Sequence, residues 1–164
     1  MFKNIGEFTI TKRQKQSFKS GELWRRWVDQ YPFLFDEIDR GYFENQGKYG
    51  FGLVEALAAI FLYNATGYTS ISGSYCYENQ GTKPQIVKGL VSPETWKLIK
   101  QTRKYHSQPP DLLSYIPNSK DYFFCEVKGP GDKVRETQEL YFAELEKVSG
   151  KPVFLIAFRN APFD

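Results

Sequence analysis

A chain of 164 residues is long enough for one sizeable core and short for two. Aromatics at 17 %, mostly Phe and Tyr, mark a globular chain, and a single histidine excludes both a zinc-type histidine cluster and a histidine-centred nuclease motif. A net charge of +3 selects no partner by itself, but it is unevenly spread: residues 1–30 hold seven Lys/Arg against three acids, and residues 83–104 hold six against one. Two such basic blocks suit a polyanionic substrate.

Taken in chain order, residues 1–19 are polar and basic and predict an arm, without the pattern of a signal peptide. Leu23, Trp24, Trp27 and Val28 follow at helical spacing and predict an amphipathic helix. Residues 42–52, rich in Gly and aromatics, read as a loop. From Phe51 the pattern becomes helical through Leu53, Val54, Leu57, Ala58, Ile60, Phe61 and Leu62, with Gly67 as a natural stop. The longest apolar run, residues 56–63, is too short to cross a bilayer. Glu55 is the only acid on this helix, which has almost no polar face to hold it, so it is expected to be buried near a partner.

Residues 68–78 alternate and predict the first core strand. Ser92-Pro93 starts a helix with Ser as N-cap and Pro in the first turn, an insertion running to residue 104. It presents Lys97, Lys100, Arg103 and Lys104 shortly before Pro110-Asp111, where they can lean on a substrate backbone. His106 reads as a surface residue.

Two apolar runs follow, residues 112–116 and 122–128, joined by the turn-rich Pro117-Asn118-Ser119-Lys120-Asp121, which predicts a hairpin. In the second run Phe124, Glu126 and Lys128 share one face while Phe123, Cys125 and Val127 share the other. Cys125 therefore reads as a small buried hydrophobe rather than a disulfide partner, which fits a reducing compartment such as the cytoplasm. Antiparallel pairing brings Asp111, at the start of the first strand, beside Glu126 and Lys128 at the end of the second. A Glu-Lys pair alone is satisfied by a salt bridge. Two carboxylates at that distance, however, repel unless a proton or a divalent cation lies between them, and oxygen ligands partly open to water suit Mg²⁺ or Mn²⁺. The next helix carries an apolar stripe of Val134, Tyr141, Phe142, Leu145 and Val148 with Gln138 within reach of it. Gly150 ends it, and residues 152–158 predict a buried strand. Strand, helix and strand in that order favour a right-handed crossover in a mixed sheet. The loop Gly129-Pro130-Gly131-Asp132-Lys133 lacks the Gly-Lys-Ser/Thr of a nucleotide-binding loop.

These residues resemble the PD-(D/E)xK nucleases, and within them the VRR-NUC branch of virus-type replication-repair nucleases. Pro110-Asp111, Glu126-Val127-Lys128, the Gly-Pro-Gly-Asp that follows and a helix bearing Gln138 match that branch's pattern. The resemblance is strong over residues 110–158 and faint before them. One departure is that Gln108 and Pro109 stand where the family has Gly just before Pro-Asp, so proline fixes φ where glycine would leave it free.

The resemblance implies an α/β fold of the restriction-endonuclease type: helix, three-stranded meander, helix and strand. It would be one domain over residues 1–164, with an N-terminal helical extension (residues 1–50) and a core (residues 51–158) carrying the inserted helix (residues 92–104). It implies that Asp111, Glu126 and the Val127 carbonyl, helped by Glu55 directly or through water, hold one or two Mg²⁺ or Mn²⁺ ions. Lys128 would orient the nucleophile or steady developing charge, and Gln138 would position Lys128 or water. The implied activity is hydrolysis of DNA phosphodiesters, with branched or flapped junctions among the substrates, and with Lys133 and Arg135 joining the basic helix against nucleic acid. A homodimer would serve a cut through two strands. The alternatives are a catalytically silent nucleic-acid-binding module on the same fold, or a protein-interaction domain in which Glu126 and Lys128 merely pair.

Overall fold

The computed structural model describes residues 2–162, which form β1 (Lys3–Ile10), α1 (Lys12–Lys19), α2 (Glu22–Gln30), α3 (Glu37–Gln46), a 3₁₀ turn (Gly47–Tyr49), α4 (Leu53–Thr66), β2 (Thr69–Ser72), α5 (Lys83–Leu90), α6 (Pro93–Ile99), α7 (Thr102–Tyr105), β3 (Leu112–Tyr115), β4 (Tyr122–Lys128), α8 (Glu136–Ser149) and β5 (Val153–Asn160). The strands make one mixed sheet in the order β1-β5-β4-β3-β2. β5 runs parallel to both β1 and β4, while β3 is antiparallel to β4 and β2. This is the α/β architecture of the restriction-endonuclease-like type.

The alternation of β4 decides how the layers assemble, because its two faces feed two separate cores. Cys125 and Val127 join Leu112 and Ile156 under the N-terminal helices, where Phe18, Trp24, Trp27, Phe43 and Leu62 complete one apolar cluster. Phe124 joins Leu113 and Val153 on the opposite face, against Val87, Ile99, Tyr141, Phe142 and Leu145. The sheet is thus covered on both sides, as a strand with β4's near-continuous burial requires. Among the described residues no helix is long and apolar enough to cross a membrane.

Several local expectations are corrected. The arm expected over residues 1–19 is strand β1 followed by α1; its first residue, Met1, lies outside the described residues. Its alternation was hard to see because β1 is an edge strand with only Ile10 buried, and its register against β5 shifts between Asn4 and Gly6. The loop expected over residues 42–52 is largely helical. Asp36 caps α3 by accepting the Asp39 N–H at 3.0 Å, while Asp39 accepts the Asp36 N–H at 3.1 Å, and this reciprocal cap outweighs the poor helix propensity of Gly41. α4 begins at Leu53 and stops, as expected, at a left-handed Gly67. The first core strand is shorter than residues 68–78, because Gly73 ends it after Ser72.

α5 forms where no element is expected; its N-cap, Thr82, makes no side-chain cap bond, and Pro84 stands in its first turn. Ser92 does cap α6, accepting the Thr95 N–H at 3.1 Å, but the inserted helix breaks in two at Lys100 and Gln101. On α8 the buried stripe is Gln138, Tyr141, Phe142 and Leu145; Val134 precedes the helix and Val148 is exposed.

Candidate active site

The register Leu112↔Cys125 carries the chain back one residue so that Asp111 lies beside the end of β4. Both of its neighbours fix it there. The buried Tyr75 hydroxyl donates to the Pro110 carbonyl at 2.8 Å, and Asp111 Oδ2 accepts the Val127 N–H at 2.8 Å. Burial first, then a hydrogen bond to Glu126 and that group's repulsion, hold the Asp111 carboxyl well above the usual carboxylate range, against the opposing pull of the Val127 N–H and Lys128.

Glu126 is 2 % exposed on the same face as Lys128. Its Oε2 accepts from Gln138 Nε2 at 2.9 Å and lies 3.7 Å from Lys128 Nζ, which itself donates to Gln138 Oε1 at 3.0 Å. The same Oε1 accepts the Arg135 N–H at 3.0 Å. Both lone pairs of the amide oxygen are therefore in use, and the first turn of α8 clamps the Glu126-Lys128 pair from one side. Lys128 keeps two of its three protons for other acceptors.

Glu55 enters from the opposite layer, on the first turn of α4. Its Oε2 is the one buried side-chain nitrogen or oxygen among the described residues without a hydrogen-bond partner. Burial, followed by repulsion from Asp111 and a smaller contribution from Asp132, pushes its carboxyl up to about 7. Glu55 and Asp111 line a common cavity of about 590 Å³. Among the described residues no three His, Cys, Asp or Glu side chains converge into a metal cage as they stand. The donor chemistry nevertheless fits a hard divalent cation, being all oxygen: two carboxyls lie close enough to repel, and a third has an oxygen with nothing to bind.

The structure gathers only part of the predicted basic surface. Lys100, Arg103 and Lys104 of the insertion and Arg135 before α8 line one open cleft of about 770 Å³, with Tyr77, His106 and Gln108. Lys97 and Lys133 are exposed outside its lining. His106 is a surface residue as expected, held in the left-handed region at φ 51°.

Sequence reasoning missed groups that support the site from other elements. Tyr75 is one. A buried ion pair is another: Lys83 Nζ lies 2.6 Å from Asp39 Oδ1 and donates to the Ser72 carbonyl at 2.6 Å, tying α3 to β2 and α5. The only local signal was the Asp-x-x-Asp cap at Asp36 and Asp39, which announces a helix start and not an ion pair.

Compared with known protein families, residues 68–156 match the model of the VRR-NUC domain. No curated protein matches the chain. The matched segment begins at β2 and contains Asp111, Glu126, Lys128 and Gln138, while Glu55 and α1–α4 lie before it.

Proposed function

The chain belongs to the VRR-NUC domain family, the virus-type replication-repair nucleases, and from that premise we propose that it is a Mg²⁺- or Mn²⁺-dependent hydrolase of DNA phosphodiester bonds, selective for flapped or branched structures. The observation that carries the reading is the unpartnered Glu55 Oε2 on the cavity it shares with Asp111, whose carboxyl lies close to that of Glu126. A cation between Asp111 and Glu126 would offset their repulsion and give Glu55 a partner directly or through water.

Asp111, Glu126 and the Val127 carbonyl would hold the ion, with Glu55 joining directly or through water. When bound, such an ion lowers the pKa of a water molecule and polarises a phosphate oxygen. The chain's own residues supply the rest. Gln138 holds Lys128 by its amide oxygen and Glu126 by its amide nitrogen, so the ammonium stands beside the carboxylates with two protons free to orient an attacking water or to meet charge developing on the phosphate. Lys100, Arg103, Lys104 and Arg135 neutralise backbone phosphates along their cleft, and Lys97 and Lys133 extend that field. A second copy of the chain would supply the second cut through a duplex. A cytoplasmic setting accords with Cys76 and Cys125, both buried and unpaired.

Thermal unfolding with and without Mn²⁺ tests the ligand set. A cation that binds only the folded state stabilises it by about 2.7 kcal/mol at a hundred times its Kd, and Asp111→Ala is expected to abolish that gain. Equal stabilisation of wild type and variant would remove Asp111 from the ligand set.

A further inference from the structure

The cavity shared by Glu55 and Asp111 is walled by α3, outside the family-matched segment. Tyr42 stands on that wall, 48 % exposed, and lines the cavity together with Glu55. Next to it is Gly41. Glycine within a helix is disfavoured relative to alanine, and neither backbone nor packing demands it here: its φ is not positive, and a Cβ at this position would have no atom within 4 Å. What a side chain at Gly41 would take up is space in the cavity.

Polar groups line the same cavity. Lys83 Nζ and Gln80 Oε1 stand together, 3.7 and 3.9 Å from where a Cβ on Gly73 would be. Lys83 commits two protons to Asp39 and Ser72 and keeps a third, and the Gln80 amide offers a donor and an acceptor. An exposed aromatic ring, a mixed set of donors and acceptors and a mouth at the catalytic carboxylates suit one kind of occupant. An unpaired nucleobase has a π face to stack, a polar edge to satisfy, and a phosphate attached at a short, fixed reach.

We propose that this cavity receives an unpaired nucleobase from the nucleotide adjoining the scissile phosphate, so that DNA carrying an unpaired or flipped base is selected over continuous duplex. The inference rests on the nuclease reading for the place of the phosphate, and on Gly41, Tyr42, Gln80 and Lys83 for the base.

The test uses duplexes carrying 2-aminopurine, a fluorescent base, either unpaired or paired. In EDTA, the wild type is expected to quench the unpaired base and to bind that DNA more tightly than the paired duplex. Gly41→Leu narrows the cavity and Tyr42→Ala removes the stacking face. Each is expected to lose most of the quench and to weaken binding of the unpaired substrate roughly tenfold. Tyr42 is half exposed, so its variant tests the idea even if Gly41→Leu fails to fold. No quench by wild type, or unchanged quench and binding in Tyr42→Ala, overturns the proposal. A cleavage arm with Mn²⁺ separates it from the reading beneath it. Quenching without any metal-dependent cutting would sink the nuclease assignment and uphold the base pocket. Cutting with equal rates on paired and unpaired DNA, unaltered by either variant, would sink the pocket and leave the nuclease.

Discussion

Replacing Glu55 by Gln should stabilise the metal-free protein, and only above a defined pH. The carboxyl ordinarily titrates near 4.5 and is pushed to about 7 by burial and by Asp111. Below 4.5 it is protonated in folded and unfolded chains alike and contributes no difference. Between 4.5 and 7 the unfolded chain releases the proton while the folded chain retains it, so stability falls as pH rises. Above 7 both are ionised and the loss is complete. A tenfold change in proton affinity is about 1.4 kcal/mol, so the full span corresponds to about 3 kcal/mol. Gln keeps the shape and removes the charge. In EDTA, Glu55→Gln is expected to match wild type near pH 4.5 and to exceed it by about 2–3 kcal/mol at pH 8, roughly 5–10 °C in Tm for a chain of this size. Urea or thermal unfolding from pH 4.5 to 8.5 measures the difference. A gap between the two proteins that does not grow with pH, or a variant less stable than wild type at pH 8, would refute the reasoning.

The Lys83–Asp39 pair, on the wall of the cavity that Glu55 and Asp111 share, should be sensitive to substitution, because removing one member leaves a buried charge alone. Lys83→Met is expected to lose about 3–5 kcal/mol in urea unfolding, and a loss below about 1 kcal/mol would mean that water solvates Asp39 after all. Gln138→Ala removes the single amide that holds both Glu126 and Lys128. Its kcat is expected to fall roughly 10- to 100-fold, as for groups that orient metal ligands, with DNA affinity little changed; a rise in Kd alone would reassign Gln138 to substrate binding.

The centre of this site is legible in the sequence because its geometry is local. Alternation along residues 122–128 puts Glu126 and Lys128 on one face, and a five-residue turn forces Asp111 alongside them; the structure has that register. Glu55 is legible for a different reason, since an acid on an almost wholly apolar helix must find an unusual place, and its Oε2 does. What is not legible depends on the closing of the fold. The Tyr75–Pro110 bond spans 35 residues and the Lys83–Asp39 pair 44, and no short-range pattern encodes either. Strand β1 is hidden because an edge strand needs to bury little, and α3 because Gly41 and its aromatic neighbours read as loop despite the cap at Asp36. The basic surface shows the same limit. Charge counts locate the insertion, but its break at Lys100 and Gln101 decides which cations reach the cleft.

The central claim is that Lys128, with the Asp111–Glu126–Glu55 carboxyls, hydrolyses DNA when a divalent cation is present. The most direct measurement is cleavage of labelled single-stranded, duplex, flap and four-way-junction DNA in Mg²⁺, Mn²⁺ or EDTA, with wild type beside Lys128→Ala. Metal-dependent cutting that EDTA stops and Lys128→Ala loses is the expected result. Binding of these DNAs with no cutting of any of them in either metal, or cutting that survives in Lys128→Ala, would contradict it.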